Sequence, residues 1–301
     1  MKTLLSSFFG LVSLLIAGQV VQSCQEAPTI FPAEYAPTRL PADTTLLFIG
    51  DGNLDLDTVF VIGEGGPKSR LSFESSGRVY WEYLQRQSNF YFAVIHQSST
   101  LNQKIFTAPN FGEKEALHEA QIAAEILHRT IQYFKTRGKY VVVTGHSYSA
   151  FLIPNYLADY GNGADRYLLT GGRLDADSMQ TALQFRGINS GFDENGETLI
   201  LPDLNAKPNR YRRARYHQIR RNKEWIKYAT GYRRFTQVLK DMDLSNLHFY
   251  YGLQDENVGR LRPYEIQFLE THGATVKAVE SDHYDIWQAV VNDLDQGILT
   301  L

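Results

Sequence analysis

A serine in the middle of the chain lies where a nucleophile could be held. Ser147 belongs to the segment Gly145-His146-Ser147-Tyr148-Ser149, which follows the apolar run Tyr140–Val143 and precedes an apolar stretch typical of a helix. A tight turn from a strand to a helix requires small residues two positions before and after such a serine. The helix would aim its N-terminus at the hydroxyl and stabilise negative charge there. The predicted chemistry is nucleophilic attack by Ser147, and a plain turn with an inert serine is the alternative.

From about residue 45 to the C-terminus, the chain resembles the α/β-hydrolase family, whose serine lies on such a turn in the pattern Gly-x-Ser-x-Gly. Gly145 matches the first glycine, and Ser149 replaces the second. The resemblance implies the chain order oxyanion loop, nucleophile, acid and histidine. It also implies a serine hydrolase that cleaves a carboxyl ester or a peptide bond through an acyl-enzyme on Ser147, without a metal or an organic cofactor.

A glycine-rich loop after an earlier predicted strand is similar to the oxyanion loop of that family. Gly63-Glu64-Gly65-Gly66-Pro67 resembles the His-Gly-Gly-Pro segment of prolyl-iminopeptidase-like and esterase members, with Glu64 in place of the histidine. By resemblance, the backbone N–H groups of Gly66 or Gly65 and of Tyr148 would donate to the substrate oxyanion. A phosphate loop is disfavoured, because the segment does not match the Gly-x-x-x-x-Gly-Lys-Ser/Thr pattern of the Walker type.

The resemblance places the acid and the histidine after the last two predicted strands. Asp255 matches the acid, which would hold the imidazole in one tautomer. Glu256 beside it and Asp175 after an earlier strand are the alternative acids. His283 matches the general base, and it lies 28 residues after Asp255. His146 is expected to be a packing residue.

Strand and helix patterns alternate along the chain, which predicts a doubly wound, mostly parallel α/β sheet. Apolar residues at three- and four-residue steps predict a helix over Glu113–Arg137, and a second helix is predicted over Pro263–Thr271. A solvated hairpin turn is expected at Asp51-Gly52-Asn53. Continuous apolar runs are typical of strands covered on both faces. The predicted strands are Thr45–Ile49, Thr58–Ile62, Phe90–Ile95, Tyr140–Val143, Tyr167–Leu169, His248–Tyr251 and Thr275–Val279.

The length of 301 residues suits one catalytic domain with an insertion. About 75 residues separate the strand that ends near residue 170 from the next predicted strand, which is more than a sheet crossover needs. The family resemblance implies a helical cap in this place. The expected division is a signal peptide at 1–23, a tether at 24–43, a catalytic domain at 44–170 and 246–301, and a cap at 171–245.

The predicted cap contains a concentrated positive charge. Residues 207–234 contain eleven Lys and Arg against one acid, so this segment carries +10 in a chain whose total is −3. Three interpretations stay open: ion pairs with the acidic remainder, attraction of an anionic substrate, or contact with anionic lipid headgroups. Nucleic acid is disfavoured as a partner, because no known nucleic-acid-binding motif accompanies the basic segment. Trp225, Tyr228 and Tyr232 share one helical face, which would pack on the catalytic domain or line a substrate entrance.

The N-terminus has the pattern of a secretory signal. Lys2 precedes an apolar run of about 14 residues, which is too short to span a membrane. The only cysteine, Cys24, ends a segment that resembles a bacterial lipobox, and the resemblance implies acylation of Cys24 and a membrane anchor. An ordinary signal peptide cleaved near Ser23 is the alternative. A lipoprotein exported across the inner membrane, in the periplasm or at the cell surface, is therefore expected.

A binding protein is the rival to an enzyme. Ser149 and Glu64 depart from the family pattern, so a lipoprotein that keeps the fold and binds a ligand without turnover stays open. The expected partner is a small-molecule or peptide substrate. The sequence leaves open the oligomeric state and the choice between an ester and a peptide bond.

Overall fold

The computed structural model describes residues 34–72, 89–202 and 214–300, with the backbone alone at 214 and 215. The predicted signal peptide and the lipidation site at Cys24 lie outside these ranges. No helix among the described residues is long and apolar enough to cross a membrane.

Seven strands of the described chain form one sheet, and two more form a separate small ribbon. In the sheet the order is β1-β3-β2-β4-β5-β8-β9, and every neighbouring pair is parallel except β1 and β3. β6 and β7 pair antiparallel outside it. The strands are β1 (Phe48–Asp51), β2 (Thr58–Gly63), β3 (Tyr91–Ile95), β4 (Tyr140–His146), β5 (Arg166–Thr170), β6 (Gly191–Phe192), β7 (Leu199–Ile200), β8 (Leu247–Gly252) and β9 (Thr275–Val279).

Helices connect the strands and cover both faces of the sheet. Alternate residues of β2 enter two separate apolar clusters, with Val59 and Val61 on one face and Phe60 and Ile62 on the other. A strand buried on both sides has no polar face, which explains its continuous apolar sequence. The helices are α1 (Ser98–Leu101), α2 (Glu113–Lys135), α3 (Tyr148–Tyr160), α4 (Ser178–Phe185), α5 (Ala214–Gly231), α6 (Phe235–Val238), α7 (Pro263–Thr271) and α8 (Ile286–Asp295).

The predicted doubly wound α/β sheet is confirmed, and two local predictions are wrong. The start of the first predicted strand is instead a short 3₁₀ helix, Thr44–Leu47, and β1 begins at Phe48. β1 pairs with β3 and not with β2, so the expected hairpin at residues 51–53 does not exist. None of the residues of β9 is buried, because this strand forms the edge of the sheet.

The last ten residues of the expected tether are folded onto the domain. The carboxylate of Glu119 in α2 is buried, and it accepts hydrogen bonds from Tyr35 Oη at 2.8 Å and from Thr38 Oγ1 at 2.6 Å. Tyr35 N also donates to Asn110 Oδ1 at 2.8 Å. The segment from residue 34 therefore belongs to the packed structure rather than to a free linker.

Candidate active site

The backbone at Ser147 is held in a conformation that a side-chain-bearing residue rarely adopts. β4 ends at His146, α3 begins at Tyr148, and Ser147 between them has φ 54° and ψ −114°. It is the only non-glycine residue with positive φ among the described residues. Such a conformation costs about 1–3 kcal/mol and persists where the surrounding fold imposes it. Here it turns the serine side chain away from both elements and into a cavity.

Close packing around this turn explains the small residues beside it. A Cβ atom on Gly145 would lie 2.5 Å from Ile153 Cδ1 and 2.8 Å from the carbonyl oxygen of Ser149. A Cβ atom on Gly172, in the neighbouring loop, would lie 2.4 Å from Ala150 Cβ. All three distances are shorter than a Cβ atom tolerates, so a larger side chain at either position would displace the start of α3.

The two departures from the family pattern meet in the structure. Ser149 is buried, and its Oγ donates a 2.6 Å hydrogen bond to the backbone carbonyl of Glu64. The Glu64 side chain is buried as well and pairs with Lys68 Nζ at 3.0 Å. Ser149 thus ties the helix that follows the nucleophile to the glycine loop, which a glycine at this position could not do.

Gln97 supports the glycine loop from the other side. Its amide nitrogen donates to the carbonyl groups of Glu64 at 3.2 Å and Gly65 at 3.1 Å, and its amide oxygen accepts from Lys68 N at 2.8 Å. The side chain is 1% exposed. A Cβ atom on Gly66 would lie 2.8 Å from the Gln97 amide oxygen, so the loop needs a glycine there. Nothing in the sequence pattern pointed to Gln97, which lies 30 residues after Pro67, the last residue of the predicted glycine loop.

The predicted oxyanion donors lie around Ser147. Gly65, Gly66 and Tyr148 line the same cavity as Ser147, and a Cβ atom on Gly65 would lie 3.5 Å from Ser147 Cβ. Among the described residues, no acceptor is found for the N–H groups of Gly66 and Tyr148. Unused backbone donors beside a nucleophile can stabilise an oxyanion. The Tyr148 ring itself is buried in the core, where burial raises the pKa of its hydroxyl to about 12.

Asp255 and His283 are hydrogen-bonded, although they lie on loops after different strands. His283 Nδ1 is 2.7 Å from Asp255 Oδ2, and both side chains are at least 95% buried. The other carboxylate oxygen accepts from the backbone N–H groups of Asn257 at 2.9 Å and Val258 at 3.0 Å. An ionised carboxylate only accepts, so His283 Nδ1 carries the proton and Nε2 is left as the basic nitrogen.

The alternative acids lie elsewhere. Asp175 is buried, and it accepts from Arg234 Nε at 2.9 Å and from Thr236 Oγ1 at 2.6 Å rather than from a histidine. The Glu256 side chain is exposed. Of the three candidate acids, Asp255 alone contacts His283.

His283 and Ser147 line one cavity, but no hydrogen bond joins them in this structure. The His283 ring packs instead beside His146, with 4.7 Å between ring centroids. His146 Nδ1 lies 3.0 Å from Thr170 Oγ1. Burial, together with the neighbouring His283 and Lys68, lowers the pKa of His146 to about 3. His146 is therefore a neutral ring at the cavity wall, where simple core packing was expected.

The cavity has a volume of about 610 Å³, within the usual range of small-molecule sites. Its floor comes from the glycine loop and from the ends of β4 and β9, and its opposite wall comes from the insertion. α5 lines it with Lys227, Thr230 and Gly231 and not with its aromatic face. Trp225 packs instead on Phe185 of α4, with ring centroids 4.6 Å apart. The aromatic residues of α5 therefore join two helices of the insertion rather than line the entrance.

Part of the basic segment is described, and half of its described side chains form ion pairs. Lys227 pairs with Glu224 at 2.9 Å, Arg233 with Asp159 at 2.6 Å and Arg234 with Asp175 at 2.9 Å. The side chains of Arg220, Arg221 and Lys223 form none of the described ion pairs. The basic residues Lys207, Arg210, Arg212, Arg213 and the side chain of Arg215 lie outside the described residues. The pairs with Asp159 and Asp175 agree with the interpretation that the acidic remainder neutralises this charge, whereas Glu224 is the segment's own acid.

Known proteins resemble this chain in structure rather than in sequence. A scan against protein-family models finds no match, and no curated protein matches the sequence. Among solved structures, MGS-M2, an α/β-hydrolase enzyme from a Medee basin deep-sea metagenome library, is 12% identical with a TM-score of 0.50. That comparison covers 84% of this chain and 94% of the other.

Two Mycobacterium tuberculosis proteins are similar to the same degree. Rv0554 is 10% identical with a TM-score of 0.53, covering 84% of this chain and 94% of that one. BpoC is 11% identical with a TM-score of 0.51, covering 83% and 93%. The chain has the α/β-hydrolase fold. At this identity the likeness shows the fold alone, because unrelated reactions share it.

In an α/β-hydrolase fold, functional side chains lie at the carboxyl ends of the parallel strands. Ser147 follows β4, the glycine loop follows β2, Asp255 follows β8 and His283 follows β9. Because these strands are parallel, their four carboxyl ends lie on the same side of the sheet. Among the described residues, no group of three or more His, Cys, Asp or Glu side chains is placed to hold a metal ion.

Proposed function

We propose that this protein is a serine hydrolase that cleaves a carboxyl ester or a peptide bond, with Ser147 as nucleophile, His283 as general base and Asp255 as its partner. The observation that carries the proposal is the backbone of Ser147, the one non-glycine residue with positive φ in the described chain. A fold that imposes about 1–3 kcal/mol of strain on a serine facing a cavity is typical of a nucleophile elbow.

In the first step, Ser147 Oγ attacks the substrate carbonyl and transfers its proton to His283 Nε2. Catalytic hydrogen bonds are often long in unliganded proteins and shorten when substrate binds, which fits the absence of a Ser147–His283 bond here. Asp255 stabilises the imidazolium that forms. The carbonyl oxygen gains a negative charge, and the N–H groups of Tyr148 and Gly66 or Gly65 donate to it.

In the second step, the imidazolium returns the proton to the leaving alcohol or amine, and an acyl-enzyme on Ser147 remains. A water molecule then attacks the acyl carbonyl while His283 accepts one of its protons. The acid product leaves when Ser147 Oγ takes that proton back. The protein ends the cycle unchanged, and the net reaction consumes one water.

A fluorophosphonate probe tests the nucleophile directly. We expect it to label the purified protein on Ser147 and to leave Ser147→Ala unlabelled, with labelling also lost in His283→Gln because the serine is then not activated. Ser245→Ala changes an exposed serine far along the chain and is the matched control, which we expect to label like the parent protein.

Equal labelling of the parent protein and Ser147→Ala would contradict the proposal. Absence of labelling in a folded protein that still binds small esters would favour the rival function, a binding lipoprotein without turnover. Hydrolysis of p-nitrophenyl esters and aminoacyl anilides by the parent protein then distinguishes an esterase from a peptidase.

We also propose that Cys24 is acylated and anchors the mature protein to a bacterial membrane. The sequence Val21-Gln22-Ser23-Cys24 at the end of an apolar run supports this. Incorporation of a radiolabelled fatty acid should be lost in Cys24→Ala. Label retained in that variant would exclude this site of attachment.

A further inference from the structure

The cavity wall opposite the glycine loop is formed by uncharged hydrogen-bonding side chains. This wall, called the amide wall below, consists of Gln180, Gln184, Asn189, Ser190 and Asn257. The first two lie on α4, the next two follow that helix, and Asn257 follows Asp255 by two positions. All five line the cavity that contains Ser147.

Much of the hydrogen-bonding capacity of the amide wall is unused. Ser190 Oγ is buried without any hydrogen-bond partner among the described residues. The Gln184 side chain, half-buried on α4, makes none of the described hydrogen bonds either. An unpaired buried hydroxyl is unfavourable in the unliganded protein, so a ligand group that paired with it would remove that cost.

Gln180 is the fixed member of the wall. Its side chain is 4% exposed, and its amide nitrogen donates to the carbonyl of Asn257 at 3.2 Å. Among the described residues, no donor reaches its amide oxygen, which leaves this acceptor at the cavity. Beside it, Asn189 accepts from Lys227 Nζ at 3.2 Å through its oxygen, and its amide nitrogen keeps two donors.

The charges of the cavity balance one another. The described lining contains two lysines, Lys68 and Lys227, and two carboxylates, Glu64 and Asp285. Lys68 pairs with Glu64 at 3.0 Å, and Lys227 pairs with Glu224 at 2.9 Å. Because a carboxylate already compensates the charge of each lysine, the cavity has little net attraction for an anion and favours a neutral ligand.

We propose that the amide wall binds a neutral hydroxylated group, so that the substrate is the ester of a polyol or a sugar rather than of a long alkyl alcohol or a carboxylate-bearing one. Amide and hydroxyl groups on the wall supply both donors and acceptors, and an alcohol hydroxyl donates and accepts at a single atom. An alkyl group bound against the wall would displace water from these polar groups and leave them unsatisfied. This inference rests on the proposed hydrolase function and narrows its substrate.

Acetyl esters that differ only in the alcohol test the proposal. We expect kcat/KM for glyceryl monoacetate to exceed that for butyl acetate by at least about fivefold, since losing even one wall contact costs on the order of 1 kcal/mol. The acetyl ester of glycolic acid has an anionic alcohol part, and the acetyl ester of glycolamide has an amide. Both should react more slowly than glyceryl monoacetate.

Gln184→Leu should reverse the preference, with a lower kcat/KM for glyceryl monoacetate and a higher one for butyl acetate. Gln237→Leu makes the same substitution at an exposed helical residue outside the cavity and should leave both values unchanged. Ser190→Ala is a second variant, smaller than the parent residue, and should lower the value for glyceryl monoacetate alone.

Three outcomes would overturn the inference while the proposed function stands: faster hydrolysis of butyl acetate by the parent protein, a preference for the anionic or amide ester, or an equal loss on all esters in Gln184→Leu. If no ester is hydrolysed, a binding measurement tests the amide wall independently of the proposed hydrolase function. In Ser147→Ala, glyceryl monoacetate should bind more tightly than butyl acetate by ligand-observed NMR, and the reverse order would refute the amide wall as a polyol site.

Discussion

The two sides of the cavity differ in how their polar groups are satisfied. On the sheet side, Gln97 makes three hydrogen bonds and Asp255 makes three, so each group has one position. On the insertion side, Gln184 and Ser190 make none among the described residues. Groups that act on a reacting carbonyl must be fixed before the substrate arrives, whereas groups that recognise the rest of it must be left to pair with it. The difference supports the proposed division, with chemistry on the sheet side and recognition on the insertion side.

The largest effect is expected on the sheet side, at the carboxylate that orients His283. Asp255→Asn should lower kcat about 10³- to 10⁴-fold with KM little changed, because an amide stabilises the wrong tautomer of the imidazole. The matched control is Glu256→Gln, which removes the neighbouring exposed carboxylate and should keep full activity. Steady-state kinetics on one p-nitrophenyl ester measures both. Comparable losses in the two variants would show that the Asp255–His283 contact is not used.

A smaller loss of activity is expected from changing Gln97, which supports the glycine loop. Gln97→Leu removes three side-chain hydrogen bonds that hold the backbone of residues 64–68. The oxyanion donors in this loop should therefore lose their fixed position. We expect kcat to fall about 10- to 100-fold, with KM changed less than threefold. Gln103→Leu, a change of the same type at an exposed residue, is the control. A rise in KM at constant kcat would place Gln97 in substrate binding instead.

Asp175 is an exception to the difference between the two sides of the cavity. It lies in the insertion (171–245), yet both of its carboxylate oxygens accept hydrogen bonds. Asp175→Asn should lower the free energy of unfolding by about 1–3 kcal/mol, because Arg234 and Thr236 lose a charged acceptor. Activity of the remaining folded protein should stay within about threefold of the parent. Urea unfolding and kinetics at a temperature far below the midpoint separate the two effects. A thousandfold loss of kcat without a change in stability would restore Asp175 as the acid.

The remaining prediction concerns the dependence of stability on pH. The pKa of His146 is about 3 in the folded protein and near 6.5 in an unfolded chain. Between these values the unfolded state binds the additional proton, so this group stabilises the fold above pH 6.5 and the contribution is lost as the pH falls toward 3. In His146→Gln, the free energy of unfolding should decline less steeply from pH 7 to pH 4. An equal or steeper decline would exclude the neutral buried ring.

The sheet could be predicted to a large extent because local pattern and tertiary environment agree there. Helix α7 matches its predicted bounds, and α2 ends two residues before the predicted end. The start of β1 and its pairing partner were predicted wrongly. An edge strand has a weak local preference, and the partner of β1, β3, begins 40 residues further along the chain. The short 3₁₀ helix before it has no apolar period that could distinguish it from a strand.

Asp255 and His283 could be located by the family resemblance, and Ser147 by its turn, because each follows a strand whose apolar run is visible in the sequence. Three features could not be located from the sequence: the role of Gln97, the contact between Ser149 and Glu64, and the amide wall. Each depends on which loops face one another across the cavity. A glutamine has the same local signature on a surface as behind a loop, and its role is set by the carbonyl groups within about 3 Å of it.

The sequence alone determined the order of the elements and the turn that holds Ser147, since strand burial, helix periodicity and the small residues of a tight turn are all short-range requirements. Only the tertiary structure decided which carboxylate meets His283, how Ser149 and Glu64 are joined, and which polar groups stay unpaired in the cavity. Those outcomes depend on distances between segments far apart in the chain, and local side-chain chemistry does not encode such distances.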